Sequence, residues 1–551
     1  MGEIMNIHYR KISYCVALLL LGFLLAACGG GGGGSSASGT TVSGTVMAGP
    51  VSGSTVIVKN TAGTTVAGPV TTGTDGSYTV TIPAAAMTGD LVFEASGGTF
   101  PDEATAPAVV TLTTLSAQVA AGSLAAGTQV TIDPASTIIH KLMAGGQTRT
   151  AAFTAYSSNF GYKPDCRIKP AFANLSSAAT RPERLSGLRT AAFSQLASNL
   201  GIQAAKQFDL INAIGTDLAD GTIAGGYVVD GKTVAPDVAN RYGEALITYQ
   251  QSAKNKSKLK ADQIGAPVFI TTAYTDTYKV EYESVTPMSA TMGKTMFRIR
   301  LTNRSDGTPA SGKTVTLRPY MYMSTKSHST PMEAVTPSST AGTYDCTVYY
   351  VMSTAMAGVS MGVWELKITI DGTESTKFFP NVAMPMGGTT TLAKLTGVID
   401  RTDPANPVDT DSIMGMAGKE TRTWFLFNDG LSGSAGNNTF KLFLATKEMA
   451  NSMLTFPAVK INDTLLNQAG TPWTVSSLTV EVSTDKLTWT QATDAGNGHW
   501  SVSGLTGLAA GTPGSIYVQL KVNGLQKTTD GNVAGASNGY QTFTVTPLQA
   551  P

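Results

Sequence analysis

The chain holds 551 residues, and its 38 basic side chains nearly balance 37 acidic ones, giving a formal net charge of +1 at pH 7. Without a basic excess there is no electrostatic footprint for a phosphate backbone, so nucleic acid is not an expected partner. Charged residues make up only 14%, below the roughly 25% of ordinary soluble domains, while Gly, Ser and Thr are abundant, a composition suited to short strands joined by tight turns. The length predicts roughly three or four domains.

At the N-terminus, Arg10 and Lys11 precede an apolar run that starts near Val16 and closes on Leu25-Ala26-Ala27-Cys28. The run is shorter than the ~20 residues a spanning helix needs. A basic start, a short apolar stretch and small residues before a cut form the layout of a secretory signal, here residues 1–27. Small residues followed at once by Cys resemble the lipobox of bacterial lipoproteins. The resemblance implies that Cys28 becomes the first mature residue and carries lipid, tying the chain to a membrane. Gly29 to Gly34 and the serines that follow predict a flexible tether over 28–40. Cleavage would remove Arg10, Lys11 and Glu3 and bring the net charge to zero. Gly rather than Asp follows Cys28, which in this family implies the cell outer membrane, on its periplasmic or outer face. Envelope proteins are the partners expected there.

Residues 41–130 read as short strands between glycine turns. Ser54 to Val58 and Tyr78 to Ile82 alternate with period two, and Asp75-Gly76 marks a turn before the second run. The segment ending in "TDGSYTVTIP" resembles carboxypeptidase-regulatory-like, or prealbumin-like, β-sandwiches, which carry no catalytic residue and usually act as spacers. From Asp133-Pro134 the pattern turns helical through 131–262: Ser136 to Met143, Leu185 to Leu200, Gln207 to Leu218, and Asp237 to Lys256 with Asp237 as N-cap. This stretch resembles a small helical segment of exported bacterial lipoproteins. His140 has no metal-ligating residue one helical turn away and reads as an ordinary core or surface histidine. The basic run Lys254 to Lys260 reads as a solvated linker.

Residues 266–386 return to alternating strands: Tyr278 to Glu283, Met296 to Thr302, Thr314 to Met323, Tyr344 to Met352 and Val363 to Ile370. They predict a sandwich of Ig type. Eleven of the 20 methionines lie between Met288 and Met386. Met321 and Met323 are two apart on a strand and leave the same face; His328 and Met332 follow across a polar turn, with Met361, Met384 and Met386 as further donors from neighbouring strands. Thioethers with one imidazole make a soft ligand set suited to Cu(I). Alternate Met on a strand is also what a buried face looks like, and that is the reading the pattern favours. The segments "GTYDCTVYYVM" and "GVWELKITIDG", downstream of this Met/His stretch, resemble the YtkA-like or FixH-like exported Ig-type domains. That resemblance implies a loose association with copper handling and assigns Met321, Met323, His328 and Met332 as the ligand set. Cys346 alternates with Tyr344, Val348 and Tyr350 and reads as a buried thiol; a bond to Cys166 stays open.

Residues 387–551 predict another Ig-like or fibronectin-like β domain with Trp489 and Trp500 in its core. Two G-x-S-x-G strings, at Gly358 to Gly362 and Gly535 to Gly539, are followed by strands rather than by the helix a nucleophile elbow requires. Asp400, Asp403, Asp409 and Asp411 do not match an EF-hand spacing. The fold expected is mainly β, several Ig-like and prealbumin-like sandwiches with a small α-helical insert. The function expected is a non-enzymatic, lipid-anchored binding or scaffold protein of the envelope, capturing copper or serving a purely structural or adhesive role.

Overall fold

The computed structural model describes residues 39–397, 422–434, 436–450, 453–466 and 472–547. The signal, Cys28, the glycine tether and the aspartates at 400–411 lie outside the described residues. The fold is mainly β, built as packed sandwiches with a helical insert.

In the first sandwich, Gly39–Val46 lies between Ser77–Pro83, antiparallel, and Gln129–Ile132, parallel. Opposite it stands a four-stranded sheet ordered Thr65–Thr71, Thr55–Asn60, Asp90–Ser96, Thr114–Ala120. The turn before Ser77–Pro83 forms as expected: Gly76 takes φ +78°, and Asp75 accepts from the Ser77 amide at 3.0 Å.

Gln129–Ile132 feeds directly into α1 (Pro134–Ala144). Asp133 and Ser136 close a reciprocal cap there, amide to Oδ1 at 2.7 Å and amide to Oγ at 2.8 Å, an arrangement that stabilises a helix by about 1 kcal/mol. Then come α2 (Arg149–Phe160), α3 (Arg181–Asn199), α4 (Gln207–Asp217) and α5 (Val238–Gln251). The sequence pattern does not reveal α2, whose apolar residues Ala152, Tyr156 and Phe160 recur at i+4 within a Ser/Thr/Ala-rich stretch too polar to stand out. Gly187, inside α3, is required by packing: a Cβ there would sit 1.7 Å from the Ala171 carbonyl oxygen.

The expected division at 130/131 is not a division of the core. One apolar cluster runs from Val42 and Phe93 through Ile138, Leu188 and Tyr242 to Ile264. The helices cover the sandwich rather than standing apart from it. Two adjacent acids are buried in this joint. Asp102 accepts from Ser194 Oγ at 2.7 Å and Gln207 Nε2 at 2.9 Å. Glu103 accepts from the Gly49 amide at 2.8 Å. Burial, reinforced by the Asp102 charge, pushes the Glu103 carboxyl up to about 8.

Asp237 precedes α5, as expected, but does not cap it. Its carboxylate instead takes Arg241 Nε at 2.9 Å and the Tyr274 amide at 2.8 Å. It thereby fastens the helix to the next sandwich, as does Asn240, which donates to the Lys377 carbonyl at 2.8 Å.

That sandwich pairs a five-stranded sheet, containing Tyr278–Thr286, Gly293–Asn303 and Thr343–Tyr350, with a sheet containing Glu374–Phe378, Val363–Ile370 and Val315–Tyr322. The second sheet does not stop at the expected boundary of 386. It continues through His328–Ser329 into Met453–Thr455 and Glu448–Ala450 of the following region.

The C-terminal sandwich packs a sheet built on Thr423–Ser434, Asn437–Thr446 and His499–Leu505 against one built on Leu478–Ser483 and Gly514–Val522. Its first sheet is covered on both faces. Phe425, Phe427 and Phe443 join the core of the Met-rich sandwich, while Trp424, Leu426 and Leu442 join the C-terminal core. This is why "TWFLF" is a continuous apolar run rather than an alternation. Trp500 is buried as expected; Trp489 is not in the core and sits half-exposed against Tyr540. Cys166 and Cys346 are both free thiols, the first beside the first core and the second inside the core of the Met-rich sandwich.

Candidate functional site: the seam between the Met-rich and C-terminal sandwiches

The segment from Met321 to Glu333 lies on this seam. Along Val315–Tyr322 every second side chain is buried, and Met321 ends that series fully buried. After a short turn the chain comes back, and His328 stands directly opposite Met321 in the antiparallel register. Opposite residues in such a pair share a face with Cβ atoms ~5 Å apart, so the thioether and the imidazole are neighbours. His328 is 3% exposed. Its Nδ1 lies 2.7 Å from the Ser329 carbonyl oxygen, which makes Nδ1 the protonated nitrogen and leaves the lone pair on Nε2. Burial lowers its proton affinity, which favours the neutral ring. The edges of Trp364 and Phe456 meet it at centroid distances of 5.6 and 5.3 Å. Its backbone pairs in parallel with Leu454.

Met323 is half-buried against the same core. Its Cγ and the Met321 Cε each lie 3.2 Å from the position a Cβ would take on Gly362, so the missing side chain there is what lets the two methionines approach. Met332 is placed elsewhere: its backbone bridges to Val348 and it is 45% exposed. Met384 and Met386 are also exposed. The structure therefore brings Met321, Met323 and His328 to one place and leaves Met332 outside it.

One residue beyond Met332 begins a polar cluster that no sequence motif announces. Asp429 lies at a register shift between Asn428 and Gly430 in Thr423–Ser434. A bulge of this kind re-aims a side chain, and here it accompanies a carboxylate turned toward the Met-rich sandwich. Asp429 Oδ1 accepts from Lys294 Nζ at 2.7 Å and from the Tyr349 hydroxyl at 2.8 Å, and Oδ2 lies 3.0 Å from His499 Nδ1. The Tyr349 hydroxyl also reaches Glu333 Oε1 at 2.7 Å. Glu333 Oε1 in turn faces His499 Nε2 at 3.8 Å.

Burial would raise the Asp429 carboxyl, but the His499, Lys294 and Tyr349 hydrogen bonds outweigh it and bring it down to about 2. The hydrogen bond to Asp429 raises His499 above the ordinary imidazole value against partial burial. Ligand atoms of Glu333, Asp429 and His499 lie within 4.8 Å of one another, a nitrogen-and-oxygen set of the kind that holds divalent ions. The Lys294 ammonium already places a cation on Asp429. Its members are scattered from Lys294 to His499 along the chain, and only the fold assembles them. The sole local signal was Asp429-Gly430 interrupting an otherwise continuous strand pattern.

No protein-family model and no curated protein matches the chain. Among solved structures it is similar to domains 5–6 of the S-layer protein SbsC, at 15% identity and TM-score 0.14, covering 50% of this chain and 99% of that one. Domains 4–9 of the same S-layer protein give 14% identity and TM-score 0.15, with 50% of this chain and 32% of that chain covered. An endo-fucoidan hydrolase of glycoside hydrolase family 107 gives 10% identity and TM-score 0.11, covering 58% of this chain and 48% of that one. Superpositions this loose carry no functional argument.

Proposed function

We propose that this chain is a lipid-anchored scaffold of the cell envelope, a stack of β-sandwiches held off a membrane by the glycine tether. The observation that carries this reading is the seam. A sheet of the Met-rich sandwich continues into strands of the C-terminal region at His328 and Leu454, and the Asp429 cluster ties the same two parts together. A spacer needs its modules fixed to one another, and shared hydrogen-bond ladders with a shared apolar core remove the hinge that a loose linker would leave. The Leu25-Ala26-Ala27-Cys28 pattern supports anchoring at the outer membrane, and envelope proteins are the partners proposed.

The test is metabolic labelling of cells producing the full chain with an alkynyl fatty acid. The wild type takes up label and sediments with membranes, whereas Cys28→Ser does neither. An unlabelled wild-type chain in the soluble fraction refutes the reading.

A second reading is kept because Met321 and His328 face each other with the Nε2 lone pair free of the Ser329 contact: Cu(I) capture by Met321, Met323 and His328. Titration of the full chain with Cu(I) against a chromogenic chelator tests it. Stoichiometric uptake that disappears in Met321→Leu/His328→Ala supports capture, and no uptake by the wild type ends it.

A further inference from the structure

Arg189 lines a small cavity, far along the chain from the seam, and forms no ion pair among the described residues. It sits in α3, with its guanidinium over the Tyr162 ring at 4.1 Å from the centroid. That ring is itself held: the Tyr162 hydroxyl bonds to Tyr156 at 2.5 Å and to Tyr242 at 3.4 Å. The Arg189 carbonyl accepts from the Tyr242 hydroxyl at 3.0 Å, which fixes the backbone below the side chain. The guanidinium makes no hydrogen bond or ion pair with a described residue, although its face is packed. It opens on a cavity of about 290 Å³ between α3, the start of α1 and the loop through Lys163.

One further donor lines this cavity. Ser186 is one turn before Arg189 on the same helix face, and its hydroxyl has no partner among the described residues. Lys163 also borders the cavity, but its ammonium lies over the Phe153 ring, 5.3 Å from the centroid, and Phe153 is not part of this lining. Two acids also stand in the wall, each holding a backbone amide: Asp133 accepts from Ser136 at 2.7 Å and Asp165 from Arg167 at 2.9 Å.

We propose that this cavity binds a small molecule through an oxyanion group, a carboxylate or a phosphate, seated on Arg189 and Ser186. The guanidinium is planar and always charged, and its parallel N–H groups match two oxygens of such a group. Stacking on Tyr162 fixes its orientation in advance, so little side-chain freedom is lost when a ligand arrives. The cavity volume is near the lower end of small-ligand sites, ~300 Å³, which limits the ligand to roughly the size of one sugar acid or one phosphorylated unit.

The test is calorimetric titration of the full chain with inorganic phosphate and, separately, with D-galacturonate. Saturable binding of at least one probe is expected; which of them binds tells a phosphate site from a carboxylate site, and binding of both marks a general oxyanion seat. Arg189→Gln should weaken binding by roughly ten- to hundredfold, the value of a hydrogen-bonded charge. Arg189→Lys keeps the charge and loses the fork, and should fall between Arg189→Gln and the wild type. Ser186→Ala should weaken binding severalfold without touching the cation. Failure of both probes to saturate the wild type, or wild-type affinity in a folded Arg189→Gln, overturns the proposal.

Discussion

Tyr349 and Phe443 stack face to face across the seam, ring centroids 4.0 Å apart and planes 7° from parallel. The first belongs to the Met-rich sandwich and the second to the C-terminal one, and the Tyr349 hydroxyl continues past the stack to Glu333 and Asp429. One side chain therefore contributes apolar contact and polar closure to the same junction. Tyr349→Phe keeps the stack and removes the hydroxyl that lies between two carboxylates, an expected loss of about 1–3 kcal/mol. Tyr349→Ala also opens a cavity and should cost about 3–5 kcal/mol. Urea unfolding of the full chain followed by tryptophan fluorescence reads both; equal losses would mean that the hydroxyl contributes nothing.

The His499–Asp429 pair makes the seam sensitive to pH in a defined direction. The folded protein holds the His499 proton more tightly than the unfolded chain does. The stability this adds is complete below the ordinary imidazole pKa of about 6.5 and is lost as pH rises through the raised folded value. Asp429 acts at the other end: its folded value of about 2 adds stability that is present above the ordinary carboxylate range and is lost as pH falls toward 2. The difference in unfolding midpoint between wild type and His499→Asn should be largest near pH 6 and shrink toward pH 9. A difference independent of pH would assign His499 a packing role alone.

Glu103 tilts the same profile from within the first core. Its carboxyl is raised to about 8 by burial and the neighbouring Asp102, so it stays protonated when folded while the unfolded chain ionises above about 4.5. Its contribution is therefore intact at low pH and is lost between about pH 4.5 and 8. Glu103→Gln retains an acceptor for the Gly49 amide and cannot ionise. The variant should be more stable than the wild type at pH 8, with the gap closing by pH 4.5, as thermal melts across that range would record. No gap at pH 8 would mean that the buried carboxyl is stabilised as an anion.

The methionines separate by burial. Met321→Leu conserves volume and should cost under about 1.5 kcal/mol, Met321→Ala about 2–5 kcal/mol, and Met332→Ala within about 0.5 kcal/mol. Denaturation midpoints check the series. A Met332 effect as large as that of Met321 would place its side chain in a core or a ligand set that the fold does not give it.

Gly187 offers a test of helix packing. A Cβ there meets the Ala171 carbonyl oxygen at 1.7 Å, so Gly187→Ala should lower the melting temperature even though Ala is by about 1 kcal/mol the better helix former. A gain in stability would show that the Ala171 segment yields without cost.

The sequence by itself determined the elements whose signals are local. Val363–Ile370 and the turn at Asp371-Gly372 follow from strict alternation and a turn dipeptide, and Asp371 and Gly372 indeed both take positive φ. The start of α1 follows from Asp133-Pro134, because a cap uses only neighbouring residues. The mainly β character with a helical insert follows from the same short-range periodicities. What the tertiary structure decided are the relationships between distant segments. Residues 41–130 and 131–262 share one core, because the apolar faces of the helices had no other surface to bury. Asp237 left its helix end for Arg241 and the Tyr274 amide, since only the fold brings Tyr274 beside it. His328 became a seam residue because Leu454 pairs with it. Alternation says which side chains share a face; it cannot say what covers that face. That difference separates a buried thioether from a ligand and a scattered Glu, Asp and His from a cluster.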